Sequence, residues 1–178
     1  SSVLPYVQTY YLPVPEDQAL LVLDTINTAA NSPTYVYVSI TIVADGTILY
    51  FDHWEDGYED YINDPNQDTS FVWGDGNLDN GMAPGFSTDV FSAGDIIILT
   101  NPVNTGNLLF IDFDGGDKLA STQAVAVTRT SWASGSGTLH GGSAELLNTD
   151  VWGTRYDMPV HDTTAYDFTY AGIAVMAS

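Results

Sequence analysis

Seven carboxylates crowd residues 50–68, YFDHWEDGYEDYINDPNQD: Asp52, Glu55, Asp56, Glu59, Asp60, Asp64 and Asp68, with no Lys or Arg among them. Side chains of one sign this close repel, by about 1 kcal/mol for each close pair even in water, unless a cation sits between them. A hard divalent ion, which prefers carboxylate, amide and backbone oxygens, is the simplest counter-charge, and Ca2+ is the ion expected here. Asp52, Glu55, Asp56, Glu59 and Asp60 are the candidate ligands. No fixed spacing marks the stretch as a known ion-binding loop, and the competing reading is a solvated acidic face. The aromatic residues Trp54, Tyr58 and Tyr61 stand among these acids. Such rings stack on sugars in calcium-dependent lectins; they also pack beneath loops as ordinary apolar surface.

Residues 74–81, GDGNLDNG, offer a second oxygen set. Asp75, Asn77 and Asp79 stand at i, i+2 and i+4 ahead of Gly81, which resembles the first half of a DxDxDG calcium loop. The glycine arrives one position late, and Phe86 stands where a bidentate Glu would be. An Asx-rich turn that holds no metal is the alternative. The two acidic segments are expected to share one site if residues 71–73 fold back between them.

Other chemistry is weakly marked. His53, His140 and His161 show no paired-ligand spacing, so zinc is not expected. There is no GxSxG elbow, and Ser131, His140 and Asp150 form only the kind of trio that any chain of this size contains. Paired acids for glycoside hydrolysis are available in number, but none is singled out as a proton donor. Lys118 is the only lysine. An isopeptide crosslink to an Asp or Asn would need it buried beside that partner, whereas its DGGDK context reads as an exposed turn.

Those residues need a scaffold. The chain has 178 residues, suited to a single domain over 1–178. Its formal net charge is −20, with 44% hydrophobic and 12% aromatic residues, so it is charged yet apolar enough to fold. Nucleic acid and anionic membrane are repelled by that field, and no apolar run approaches the length of a membrane span. The sequence contains no cysteine, so no disulfide framework is possible. A calcium ion would be the substitute staple.

The elements read as strands. Residues 34–43, TYVYVSITIV, alternate with period two, placing Val36, Val38, Ile40 and Ile42 on one face. Asp45-Gly46 follows and predicts a two-residue hairpin returning through 47–52, which would hang the acidic segment from that hairpin. Further strands are expected at 18–26, 69–73, 95–100, 107–113, 155–160 and 166–176, and one is centred on 124–128 within 119–132. Residues 143–149 read as a helical turn or a strand. Residues 3–14 carry Pro5 and Pro13 and read as an edge strand, with 1–15 as a whole a possible exchanged arm. The total is ten to twelve short strands with no sustained 3.6-residue period. The fold class is therefore all-β: a β-sandwich of two packed, mainly antiparallel sheets, jelly-roll or immunoglobulin-like. The apolar ending GIAVMAS suggests continuation into a longer protein.

Residues 124–160 resemble the N-terminal domain of the IgGFc-binding protein family. There a strand with an AVxV core precedes a loop and a WGxxYxxP segment; here the matching residues are AVAV at 124–127 and WGTRYDMP at 152–159. FDHWEDGYE, at 51–59, is similar to a stretch of large multidomain secreted surface proteins of bacteria and some algae. The resemblance implies a β-rich extracellular module with adhesive or structural work and supplies no catalytic residues. The cysteines common in the animal members are absent.

The expectation is thus a non-enzymatic, secreted structural or adhesive module, calcium-stabilised and built into a surface layer or filament. Its partners would be other copies of itself or neighbouring surface proteins. The alternative is a calcium-dependent carbohydrate-binding module with glycans as partner, using Trp54, Tyr58 and Tyr61.

Overall fold

The alternating stretch at 34–43 forms strand β2 (Thr34–Ile42), with Val36, Val38, Ile40 and Ile42 buried and Tyr35, Tyr37, Ser39 and Thr41 half-buried on the other face. Pleating alone produces this division, since successive side chains leave opposite faces of a strand. The computed structural model describes residues 8–12, 34–52, 70–103, 117–133 and 141–157. In chain order the other strands are β1 (Gln8–Tyr11), β3 (Leu49–Asp52), β4 (Ser70–Trp73), β5 (Ile96–Val103), β6 (Lys118–Ser121), β7 (Val125–Ala133) and β8 (Gly141–Leu146). Two 3-10 turns, Leu78–Asn80 and Thr149–Val151, accompany them, and no α-helix occurs among the described residues.

The strands form two four-stranded antiparallel sheets, ordered β1-β6-β3-β4 and β5-β2-β7-β8. One buried cluster joins them. Tyr10, Leu12, Leu49, Phe51, Trp73 and Leu119 come from the first sheet and its flanks, and Val38, Ile40, Ile42, Ile97, Leu99, Val125 and Val127 from the second. The protein is an all-β sandwich. Each fully buried Leu, Ile or Phe contributes about 1.5–3 kcal/mol of transfer free energy, enough to order short strands that would not pair stably alone.

Asp45-Gly46 does not make the expected hairpin. β2 and β3 lie in different sheets, so residues 43–48 form a corner that carries the chain across the sandwich. A second corner, at 122–124, does the same between β6 and β7; the strand expected around 124–128 is β7, and residues 118–121 form the separate strand β6. The two corners are pinned to each other. Ile48 N–H donates to Thr122 Oγ1 at 3.0 Å, Thr122 N–H donates to Ile48 O at 3.0 Å, and Gln123 Nε2 donates to Asp45 O at 3.1 Å. The 91–93 loop fastens the first corner from the other side: Gly46 N–H donates to Phe91 O and Ala93 N–H to Asp45 Oδ1. The turn residues therefore bend the chain as their types predict, but their partners are distant in sequence.

Gly46 and Gly74 both have left-handed backbone, at φ 69° and 90°. A Cβ on Gly46 would meet open space, whereas one on Gly74 would lie 2.5 Å from Thr47 O and 2.6 Å from Phe91 Cδ2. Gly46→Ala should then cost only the backbone term, about 1 kcal/mol. Gly74→Ala adds overpacking and should cost about 2–3 kcal/mol. Paired urea melts check the difference, and equal losses at the two positions would contradict this account.

Strands expected at 69–73 and 95–100 are β4 and β5. Of the N-terminal segment, Gln8–Tyr11 form β1, an end strand of the described first sheet paired with β6, and residues 1–7 and 13–15 lie outside the described residues. Residues 143–149 resolve into the end of β8 and the start of the last 3-10 turn, and residues 155–157 form no strand. The strands expected at 18–26, 107–113 and 166–176 lie outside the described residues.

Candidate functional site

The acidic stretch leaves the sheet from a tight anchor. β3 and β4 run antiparallel with Asp52 opposite Ser70, so residues 53–69 connect two strand ends held side by side. The hairpin that presents the segment is thus β3–β4, not β2–β3. Glu55, Asp56, Glu59 and Asp60, like Trp54, Tyr58 and Tyr61, lie outside the described residues. β4 does fold back along β3, and it sends the two acidic segments off opposite ends: residues 53–69 enter at Ser70, and 74–81 leave after Trp73.

Asp52 itself is the last residue of β3 and only 2% exposed. Its partner in register on β6 is Lys118, which is 5% exposed. Lys118 therefore does not sit in an exposed turn. It is a strand residue, with the Tyr11 ring centroid 6.0 Å from its Nζ. The glycines and aspartates before it suggested a turn, but β1 and β3 flank this position on both sides and take it out of water.

The second oxygen set is a turn closed on itself. Asp75 Oδ1 accepts from Asn77 N–H at 2.8 Å, and its Oδ2 accepts from Asn80 Nδ2 at 2.8 Å. Asn77 Oδ1 accepts from Asp79 N–H at 3.1 Å and so caps the 3-10 turn Leu78–Asn80. Asp75, Asn77 and Asp79 are all exposed. Partial burial alone would push the Asp75 carboxyl upward; hydrogen bonds from Asn80 and from the Asn77 backbone outweigh it and hold the group below its usual range. Tyr50 is pushed up, first by burial and then by the charge of Asp75.

Sequence reasoning missed the residue that organises this turn. Asp89 is 3% exposed, and its carboxylate accepts three backbone N–H groups: Gly74 at 2.7 Å, Asp75 at 3.0 Å and Gly76 at 2.9 Å. Gly76 N–H also donates to Asp89 O at 2.8 Å. Nothing in the local FSTDVFS context announces this, because its partners lie thirteen to fifteen positions away. Asp75 and Asn77 shape the loop through these bonds, and Asp89 holds it. Among the described residues, no three His, Asp or Glu side chains converge closely enough to hold a metal ion.

The WGTRY portion of the resembling segment packs at the other edge of the first sheet. Trp152 lies 5.8 Å from Tyr11, ring to ring, and its Nε1 donates to Leu147 O at 3.1 Å, while Gly153 N–H donates to the Tyr156 hydroxyl at 2.8 Å. Compared with protein-family models, with curated proteins and with solved structures, the chain gives no match.

Proposed function

We propose that this chain is a non-enzymatic structural or adhesive module of an extracellular surface, stabilised by Ca2+ bound to its acidic connection, and that copies assemble with one another or with neighbouring surface proteins. The observation that carries this reading is the anchoring of residues 53–69 between Asp52 and Ser70. A segment holding Glu55, Asp56, Glu59, Asp60, Asp64 and Asp68 is pinned at both ends to a packed sheet in a chain of net charge −20. Pinning the ends limits how far these carboxylates can spread, which favours a divalent counter-ion over mutual avoidance. The resemblance of residues 51–59 and 124–160 supplies the extracellular location. Among the described strands, β1 and β4 end one sheet and β5 and β8 the other, and such end strands offer a route to lateral assembly. On β5, Ile96 and Ile98 are each 52% exposed.

Ca2+ should raise the melting temperature over that of the chelator-treated protein at equal ionic strength. At one hundred times its Kd the gain is about 2.7 kcal/mol. Combining Asp56→Asn, Glu59→Gln and Asp60→Asn should remove that gain. A melting temperature indifferent to Ca2+ would overturn the reading, and electron microscopy with and without Ca2+ separates filament from monomer.

A further inference from the structure

The single lysine of the sequence and a buried aspartate face each other across two adjacent strands. Lys118 and Asp52 are register partners on β6 and β3, and both are withdrawn from water. Their neighbours Leu119 and Phe51 belong to the core between the sheets, so strand alternation puts Lys118 and Asp52 together on the opposite face. Directly opposed Cβ atoms in an antiparallel pair lie about 4.5–5.5 Å apart, a gap that a lysine side chain spans with slack. On the far side of Lys118, its other register partner Tyr11 sets an aromatic ring 6.0 Å from Nζ. Asp117, fully buried, precedes Lys118 in the chain.

Burying an ammonium and a carboxylate is expensive for both ions, even when they are paired. An amide between them carries neither charge, so condensation removes both buried ions at once. The strands hold that pair in place, which removes the entropy cost of bringing the two together. We propose that Lys118 Nζ and Asp52 Cγ condense into an intramolecular isopeptide bond. Neutral Nζ attacks Cγ of the protonated carboxyl, and the N–C bond forms as the bond from Cγ to the hydroxyl oxygen breaks. One Nζ proton passes to the departing hydroxyl, which leaves as water. Amine and acid become amide plus water, with no oxidant or cofactor. In a chain without cysteine, the bond ties β3 to β6 and closes the loop between residues 52 and 118, the constraint a disulfide would impose. It does not depend on metal binding.

The test is the intact mass of the full chain after denaturation. The wild type is expected to be lighter than its sequence by one water molecule, and Lys118→Arg and Asp52→Ala are expected to show their full sequence masses. Proteolysis of the wild type should release a branched peptide joining Asp52 to Lys118, a readout that does not require either variant to fold. A wild-type mass equal to the sequence mass overturns the proposal. So does a water loss that persists in Lys118→Arg, which would place the dehydration elsewhere, for example as a succinimide at an Asp-Gly pair.

Discussion

Asp89→Ala should destabilise the fold by about 3–5 kcal/mol, because it removes a buried carboxylate that accepts three backbone N–H groups at once. Hydrogen bonds to a charged acceptor contribute about 1.5–3 kcal/mol each, and the simple sum is reduced because Asp75 and Gly76 are exposed and their amides regain water. Gly74 is only half-exposed, beside Phe91 and Thr47, so its amide recovers least. Asp89→Asn should recover little of the loss, since a carboxamide offers one acceptor oxygen and turns an NH2 toward amides that are themselves donors. Urea denaturation measures the change, and amide hydrogen exchange should show residues 74–76 losing protection first. A loss below about 1 kcal/mol would mean that Asp89 only decorates the turn.

Phe51→Ala is expected to cost about 3–5 kcal/mol. Phe51 is fully buried in the central strand β3, stacked on Trp73 at 5.0 Å between centroids with 15° between the ring planes. The cost combines lost transfer free energy, the cavity left between the sheets and the aromatic contact, which alone is worth about 0.5–1.5 kcal/mol. The position also adjoins Asp52, so loosening Phe51 loosens the end of β3 from which the acidic connection starts. The midpoint of a urea melt followed by tryptophan fluorescence reports the change. Phe71, also stacked on Trp73 at 6.3 Å but 37% exposed on β4, the end strand of the described sheet, provides the contrast: Phe71→Ala should cost much less.

Both positions belong to a design in which few residues pin many. Two sheet-crossing corners are fastened to each other through Ile48, Thr122, Asp45 and Gln123. The loop from 74 to 95 wraps one end of the sandwich and is fixed by Asp89. The acidic connection leaves from the end of β3 and β4 away from Trp73, where Asp52 and Lys118 stand in register.

What the sequence determined by itself was everything governed by nearest neighbours. Period-two alternation at 34–43 is enough to place Val36, Val38, Ile40 and Ile42 inward, because pleating decides that without any partner. Asp, Asn and Gly at 45–46 and 74–81 are enough to bend the chain, because side-chain caps and left-handed glycine act within a few residues. The all-β class follows from many such stretches with no helical period. What only the tertiary structure decided was pairing. Asp45-Gly46 is an equally good turn within one sheet or between two, and contacts with Thr122, Gln123 and Phe91 choose the second. Lys118 in DGGDK is exposed or buried according to whether β1 and β3 close around it. Asp89 becomes a three-point acceptor only when β4 brings Gly74 to it. Burial and hydrogen bonding between distant residues are properties of the assembled sheets, and no short window of sequence contains both partners.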